Sequence, residues 1–389
     1  EPRVTVEGAG TGQLDLEKIA EGEDAKPLEE LGIYKHDYYV YRVELERRHE
    51  VCAIANDVAT FMVGGAPVAW GFARACAEVG PGTVDVVVES TGHPNDGIVP
   101  HFTGLIAPLL LDRLGEVNIE DIEFGIADLS DRYKPGIPAY TSYPKVINRE
   151  LGRIIAKIDR WSGKPPQAKV ELGILAIRGR FRVSEKSHAV VKLPPLHAFV
   201  QVAVFVNGVE VFRGLGNDVF PLYVYVPKEV VEEGVNELIM AVPIRGELRR
   251  VPKEVSATVE LWKDVAKGYR VYKFKASATT TRGGAETRFR VSQPTTISVS
   301  FRIEKKSDVV APLYLELKGD VLAQIRLNGR FIGRFYAGGS QSRFYLPEPY
   351  LSDNGANEIE LRVIPLRKDA ELSISFGSYY RAKVLRLEL

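Results

Sequence analysis

Residues 319–361 read GDVLAQIRLNGRFIGRFYAGGSQSRFYLPEPYLSDNGANEIEL. Within them Arg326-Leu327-Asn328-Gly329 is followed by Tyr345-Leu346-Pro347 and then by Gly355-Ala356-Asn357-Glu358-Ile359. The same landmarks stand earlier in the chain, in the same order. Phe205-Val206-Asn207-Gly208 leads to Tyr225-Val226-Pro227 and to Gly234-Val235-Asn236-Glu237-Leu238. From Asn207 to Asn236 is 29 positions, and from Asn328 to Asn357 is again 29. Upstream, Arg180-Phe181-Arg182-Val183 is matched to Arg288-Phe289-Arg290-Val291; downstream, Val242-Pro243-Ile244 is matched to Ile364-Pro365-Leu366. The two stretches read as copies of one fold.

The frame has a geometry. An Asn-Gly pair between β-formers supplies the two positive-φ residues of a type I′ hairpin turn. Asn207, Gly208, Asn328 and Gly329 are therefore expected as turn formers rather than ligands. The Tyr-x-Pro step ends a strand, because proline cannot donate to the ladder. Gly-x-Asn-Glu turns into a new buried strand, Leu238 to Val242 or Ile359 to Ile364. A looser relative stands at Phe61-Met62-Val63-Gly64-Gly65, ahead of Val84 to Glu89.

Outward from the repeat, the chain consists of short β-rich runs such as Tyr38 to Leu45 and Val84 to Glu89, with Gly and Pro between them. Such spacing signals sandwiches. One stretch differs. Ile147, Leu151, Ile154, Ile158 and Trp161 recur at steps of three and four, the face of a helix over 144–161. No alternation of strands with helices occurs, which excludes a βα barrel. The expected class is all-β: tandem antiparallel jelly-roll β-sandwiches with one helical connector. The expected layout is a lead-in segment over 1–30, a first module over 31–115, a connector over 116–168, a second module over 169–265 and a third over 266–389.

Composition narrows the function. Lys+Arg and Asp+Glu both number 51, so the formal net charge is zero and no basic face for nucleic acid or anionic lipid is expected. Charged residues reach 26% while Met and Cys number two each, a balance that suggests a heat-adapted source. No apolar run approaches the ~20 residues of a membrane helix. The first residue is Glu1 rather than Met, so something upstream is expected to have been removed, by processing or in preparing the protein, and the destination, cytoplasmic or extracellular after N-terminal processing, stays open. Cys52 and Cys76 fall in one module. They can form a bridge, but two buried thiols are the expectation. His93, Asp96 and His101 lack the spacing of a zinc site, so neither metal nor cofactor is expected.

The quoted stretch resembles the last jelly-roll module of family 35 glycoside hydrolases, the β-galactosidases. Asn328-Gly329, Gly333-Arg334, Gly339, Gln341, Tyr345, Pro347, Gly355 and Asn357 fall on that pattern. Phe335-Tyr336 stands where the family has Tyr-Trp, and Ser340 where it has proline. Leu28-Glu29-Glu30-Leu31-Gly32 ahead of Tyr38 to Arg42 looks like the family's first sandwich after its barrel. Val88-Glu89-Ser90-Thr91-Gly92, with Asn95 and Gly97, looks like a loop of that sandwich. In the family two barrel glutamates perform the chemistry. With no barrel here, no residue inherits either role, and the resemblance implies a non-catalytic accessory region or subunit. Its partner would be a catalytic barrel, or further copies of itself.

Two other functions fit the same sequence: a stand-alone carbohydrate-binding protein, and a structural surface or filament subunit whose lead-in adds to a neighbour's sheet. For glycan contact the candidate platforms are Trp70, Trp262, Tyr336, Tyr379 and Tyr380, because flat rings stack on the apolar faces of sugars; Trp161 and Tyr41 read as core. Glu237 and Glu358 follow the repeat asparagines in different modules and read as solvated turn-end carboxylates.

Overall fold

Val206 pairs with Val209, and Leu327 with Arg330, so each Asn-Gly pair is the two-residue tip of a hairpin. Both tip residues have positive φ: 49° and 80° at Asn207 and Gly208, 47° and 78° at Asn328 and Gly329. Gly64 and Gly65 make the same kind of tip between Val63 and Ala66, at 59° and 81°. The structure, a computed structural model, describes residues 3–90, 102–132, 150–166, 169–195, 201–216, 220–247, 256–276, 280–283, 287–304, 309–310, 312–352, 355–379 and 382–383.

The chain is all-β, built as antiparallel sandwiches. In the third, Thr295–Glu304, Asn357–Pro365, Val321–Leu327 and Arg330–Tyr336 lie side by side in that order. Across the core, Arg288–Val291, Ala370–Ser378, Leu313–Gly319 and Arg343–Tyr345 form the facing sheet. The second sandwich repeats the order with Lys169–Val183, Gly234–Glu247, Gln201–Val206 and Val209–Leu215; its facing strands are Thr258–Val265, His188–Leu193 and Leu222–Val226. Alternate residues point inward from both sheets. In the third core Ile297, Val299, Phe301, Leu315, Leu317, Ile325 and Ile359 are fully buried, each contributing about 1.5–3 kcal/mol by leaving water.

The shared order corrects one landmark. Arg180-Phe181-Arg182-Val183 ends a strand in which Phe181 faces Asn236. The residue facing Asn357 is Phe301, so Phe301-Arg302-Ile303 is the true counterpart. Arg288–Val291 lies in the other sheet, paired with Ala370–Ser373. An Arg-Phe-Arg-Val run records only the in–out alternation of a half-buried strand, which any edge can share. The downstream prolines are also offset: Pro243 lies seven positions after Asn236, Pro365 eight after Asn357.

The lead-in is structured. Arg3–Gly22 is one 20-residue strand. Residues 3–13 pair with Thr295–Glu304 of the third sandwich, and residues 14–22 with Tyr269–Ala276, which in turn pairs with Tyr38–Leu45 of the first. Gly8, Gly10 and Gly12 hide the strand from a periodicity reading, since they carry no side chain. Within the connector, Glu120–Asp128 joins the second sandwich as an edge strand beside Lys169–Val183. The helix is seen over 150–155, and 144–149 lie outside the described residues. Leu151, Ile154 and Ile155 seat it on Leu172, Ala203 and Phe205. Trp161 lies beyond the helix, half-buried beneath the Arg178 guanidinium at 4.1 Å.

Between first and third sandwiches runs a separate apolar layer containing Leu14, Val40, Met62, Phe274, Leu322 and Ile364. The cysteines are not free thiols. Cys52 and Cys76 face each other across neighbouring strands and are disulfide-bonded, with Cα atoms 4.1 Å apart. No helix among the described residues is long and apolar enough to cross a membrane.

Candidate functional site

The 29-residue interval has a physical cause. Asn207 Nδ2 donates to Asn236 Oδ1 at 2.7 Å and to the Val230 carbonyl at 2.9 Å, while its own Oδ1 accepts from the Glu237 amide at 2.9 Å. Asn328 does the same with Asn357 Oδ1 at 2.9 Å, the Tyr350 carbonyl at 2.7 Å and the Glu358 amide at 2.8 Å. Each second asparagine is buried and closes its own loop, Asn236 on Glu232 and Asn357 on Ser352. Every amide atom in the clamp is thus used structurally, leaving none for a ligand. Glu358 turns its carboxylate to the Ser298 hydroxyl.

The clamp also aligns the copies, and the alignment separates what the fold needs from what it does not. Because Val230 and Tyr350 present their carbonyls to equivalent asparagines, they are equivalent positions. Counting from the hairpin tips, Glu210 answers Phe331; counting from Tyr-x-Pro, Tyr225 answers Tyr345. In the third sandwich Phe331, Tyr345 and Tyr350 line an open groove of about 360 Å³, with Phe344, Ile332 and Pro347 as apolar walls and Gln341 as a polar group. Phe331 is 37% exposed and Tyr345 45%. The groove lies between Arg330–Tyr336 and Arg343–Tyr345, the outermost strands of the two facing sheets. Gly333 makes room for its floor, since a Cβ there would stand 2.9 Å from Phe344 Cδ1.

Charge surrounds the rings. The Arg330 guanidinium lies 4.6 Å from the Tyr350 ring centre and that of Arg334 4.8 Å from Phe331, whose other neighbour is the stacked His36 ring at 6.1 Å. Tyr345 donates its hydroxyl to Glu348. In the second sandwich Tyr225 instead turns to His188 Nδ1 at 2.9 Å, and burial pushes its phenol pKa upward. The frame therefore folds with Glu210 and Val230 where the groove has Phe331 and Tyr350.

The candidate platforms scatter. Trp70 (36% exposed) meets Phe72 edge-on at 5.8 Å, and Phe72 contacts Phe220 and Tyr336 at 5.4 and 5.5 Å. Trp70 and Tyr336 thus share one aromatic cluster with Phe72 and Phe220. Tyr336 spends its hydroxyl on Glu89 Oε2 at 2.8 Å. Trp262 is a correction: at 0% exposure it is core and offers no face to a sugar. Tyr379 is exposed and leans on Tyr314 at 4.9 Å, outside the groove. Tyr380 lies outside the described residues, as do His93, Asp96 and His101. Among the described residues no group of three or more His, Cys, Asp or Glu side chains is placed to hold a metal.

Glu89 lies in the stretch that resembles the family's loop. It ends an apolar strand with its carboxylate wholly buried against the third sandwich. Gln324 Nε2 donates to Oε1 at 3.0 Å, as does Arg334 Nε at 2.9 Å. Burial raises its pKa, opposed by the hydrogen bonds from Gln324 and Tyr336 and by the Arg334 charge. This is a tie between modules, and Arg334 extends it to the groove by lying over Phe331.

No family model matches the chain, and no curated protein matches it. Among solved structures it is similar to a β-glucuronidase from Ruminococcus gnavus, at 11% identity and a TM-score of 0.23, over 70% of this chain and 44% of that one. It is also similar to a β-glucuronidase of an uncultured Clostridium species, at 10% identity and TM-score 0.22, over 70% and 45%. An anti-sigma factor domain-containing protein is similar at 8% and TM-score 0.19, over 57% and 86%. The chain spans less than half the length of the glucuronidase chains.

Proposed function

We propose that the chain is a non-catalytic β-sandwich body of a glycoside-hydrolase-like assembly, and that it holds glycan in the aromatic groove of its third sandwich. The groove carries the reading. Phe331 and Tyr350 occupy positions that the second copy fills with Glu210 and Val230 while keeping the same clamp. The exposed Phe331 ring, which the second copy does without, and the half-buried Tyr350 ring, beside Gln341 and two guanidinium groups, suit the apolar face and hydroxyls of a pyranose. The likeness of residues 319–361 to the final jelly roll of family 35 β-galactosidases supports the accessory role, with a catalytic barrel as partner.

The filament alternative needs a free lead-in. Here Arg3–Gly22 is taken up by the chain's own sheets, which favours the accessory reading. Titration of the chain with galactose-terminated oligosaccharides, followed by NMR or calorimetry, tests the proposal. Saturable binding that perturbs Phe331, Tyr345 and Gln341 supports it; absence of binding to any glycan tried at millimolar concentration refutes it. Incubation with an aryl β-galactoside is expected to release no phenol.

A further inference from the structure

Cys76 is exposed, whereas its partner Cys52 is buried. One guanidinium serves both sulfurs: Arg74 Nε lies 3.2 Å from Cys76 Sγ, and its NH2 group 3.5 Å from Cys52 Sγ. Arg74 is fixed there. Its NH1 donates to Glu260 Oε1 at 2.6 Å, a carboxylate 4% exposed, and the rings of Tyr223 and Trp262 flank it at 5.2 and 5.9 Å. Arg113 also reaches Glu260, at 3.5 Å. A purely structural bridge needs no cation, since a disulfide carries no charge. A thiolate does need one: a neighbouring arginine lowers a thiol's pKa, and a more acidic thiol leaves faster.

We propose that the Cys52–Cys76 bridge is a thiol-exchange site, at which a small-molecule thiol attacks the exposed Cys76 sulfur and Arg74 receives the departing Cys52 thiolate. The attacking thiol first loses its proton to solvent. Its sulfur bonds to Cys76 Sγ, the bridge breaks, and the bridge's electron pair goes to Cys52 Sγ. A second thiolate attacks the small-molecule sulfur of the mixed disulfide, releasing Cys76 as thiolate and a small-molecule disulfide. The bridge gains two electrons and two thiols are oxidised to one disulfide.

The bridge staples an edge. Among the described residues Ala66–Val79 pairs only with His49–Val63. Their ladder is broken just past the cysteines, where residues 55–57 bulge opposite Ala73 at φ 60°. Exchange thus removes the covalent tie from a strand that also carries Trp70 and Phe72.

The test uses the full chain in graded mixtures of reduced and oxidised glutathione, quenched with acid, alkylated and mapped by mass spectrometry, with circular dichroism reporting the fold. The bridge is expected to open while the sheet signal stays intact, with the glutathione adduct on Cys76. Arg74→Met combined with Glu260→Met removes both charges without stranding either. It is expected to make the bridge about tenfold harder to reduce, roughly 30 mV. Arg74→Lys should retain most of the wild-type equilibrium. A bridge that opens only on unfolding, an adduct on Cys52, or a folded double variant with unchanged equilibrium would each overturn the proposal. If the double variant fails to fold, the position of the wild-type adduct decides.

Discussion

Asn328 Nδ2 donates to Asn357 Oδ1 at 2.9 Å, and Asn207 Nδ2 donates to Asn236 Oδ1 at 2.7 Å, so the repeat's fixed interval is a hydrogen bond made twice. The first asparagine must adopt a left-handed backbone and the second must be buried. The side-chain amide satisfies both needs. It tolerates positive φ, and it brings its own donors and acceptor into a place where water is excluded.

Replacing Asn357 by alanine leaves the Ser352 amide and carbonyl, and Asn328, without their partner. A loss of about 2–4 kcal/mol is expected, from unsatisfied groups costing roughly 1–3 kcal/mol each with partial rescue by water. Urea unfolding of Asn357→Ala beside Asn236→Ala measures it. Similar losses are expected in the two copies, and a neutral outcome in both would remove the clamp's structural role.

Glu89 gives stability a pH dependence of definite sign. Burial holds its folded pKa above the usual value, so the folded chain binds this proton more tightly than the unfolded chain. Its contribution is fully present below the ordinary glutamate range, about 4.3, and is lost as pH rises through the raised folded value. The stability of wild type minus that of Glu89→Gln is therefore expected to fall between acidic and neutral pH. Chemical denaturation at stepped pH checks this; a difference that grows with pH would show that Arg334 and the hydrogen bonds outweigh burial.

Much of the fold could be read from letters alone, and the exceptions have physical causes. The hairpin tips were legible because positive φ restricts residue choice to Asn and Gly. The N-terminal strand was not, because its glycines leave no alternation to read. Phe289 shares Phe181's neighbours in sequence without sharing its place; pairing across the sheet assigns that place to Phe301. Glu89 meets its partners 235 to 247 positions away, a distance no local pattern spans. Trp262 drew notice for its ring, yet ring size alone does not distinguish a platform from a core. The groove residues were missed for a different reason. Phe331 and Tyr350 stand out only when laid over Glu210 and Val230, a comparison the repeat already permitted.

Gly333→Ala tests the groove floor. A Cβ 2.9 Å from Phe344 Cδ1 forces that ring to shift. Overpacking of this kind costs about 1–3 kcal/mol. Glycan affinity is expected to fall together with stability, whereas Gly214→Ala in the second sandwich, which meets Phe212 at 2.5 Å, should lower stability alone. Thermal melts alongside binding isotherms separate the two effects.

Deleting the bridge by Cys52→Ala with Cys76→Ala opens a link across 24 positions. A loss of about 2–4 kcal/mol is expected. Equilibrium unfolding under oxidising conditions reads it, and the same variant under reducing conditions should differ little from reduced wild type.

The most direct test of the glycan-holding groove compares Phe331→Ala and Tyr345→Ala with Glu210→Ala by calorimetric titration of a galactose-terminated oligosaccharide. Each groove variant is expected to weaken binding at least tenfold, about 1.4 kcal/mol, with the fold unchanged. Glu210→Ala, at the equivalent position of the second copy, is expected to bind as wild type. Equal affinity in all the variants would contradict the assignment of glycan to the groove.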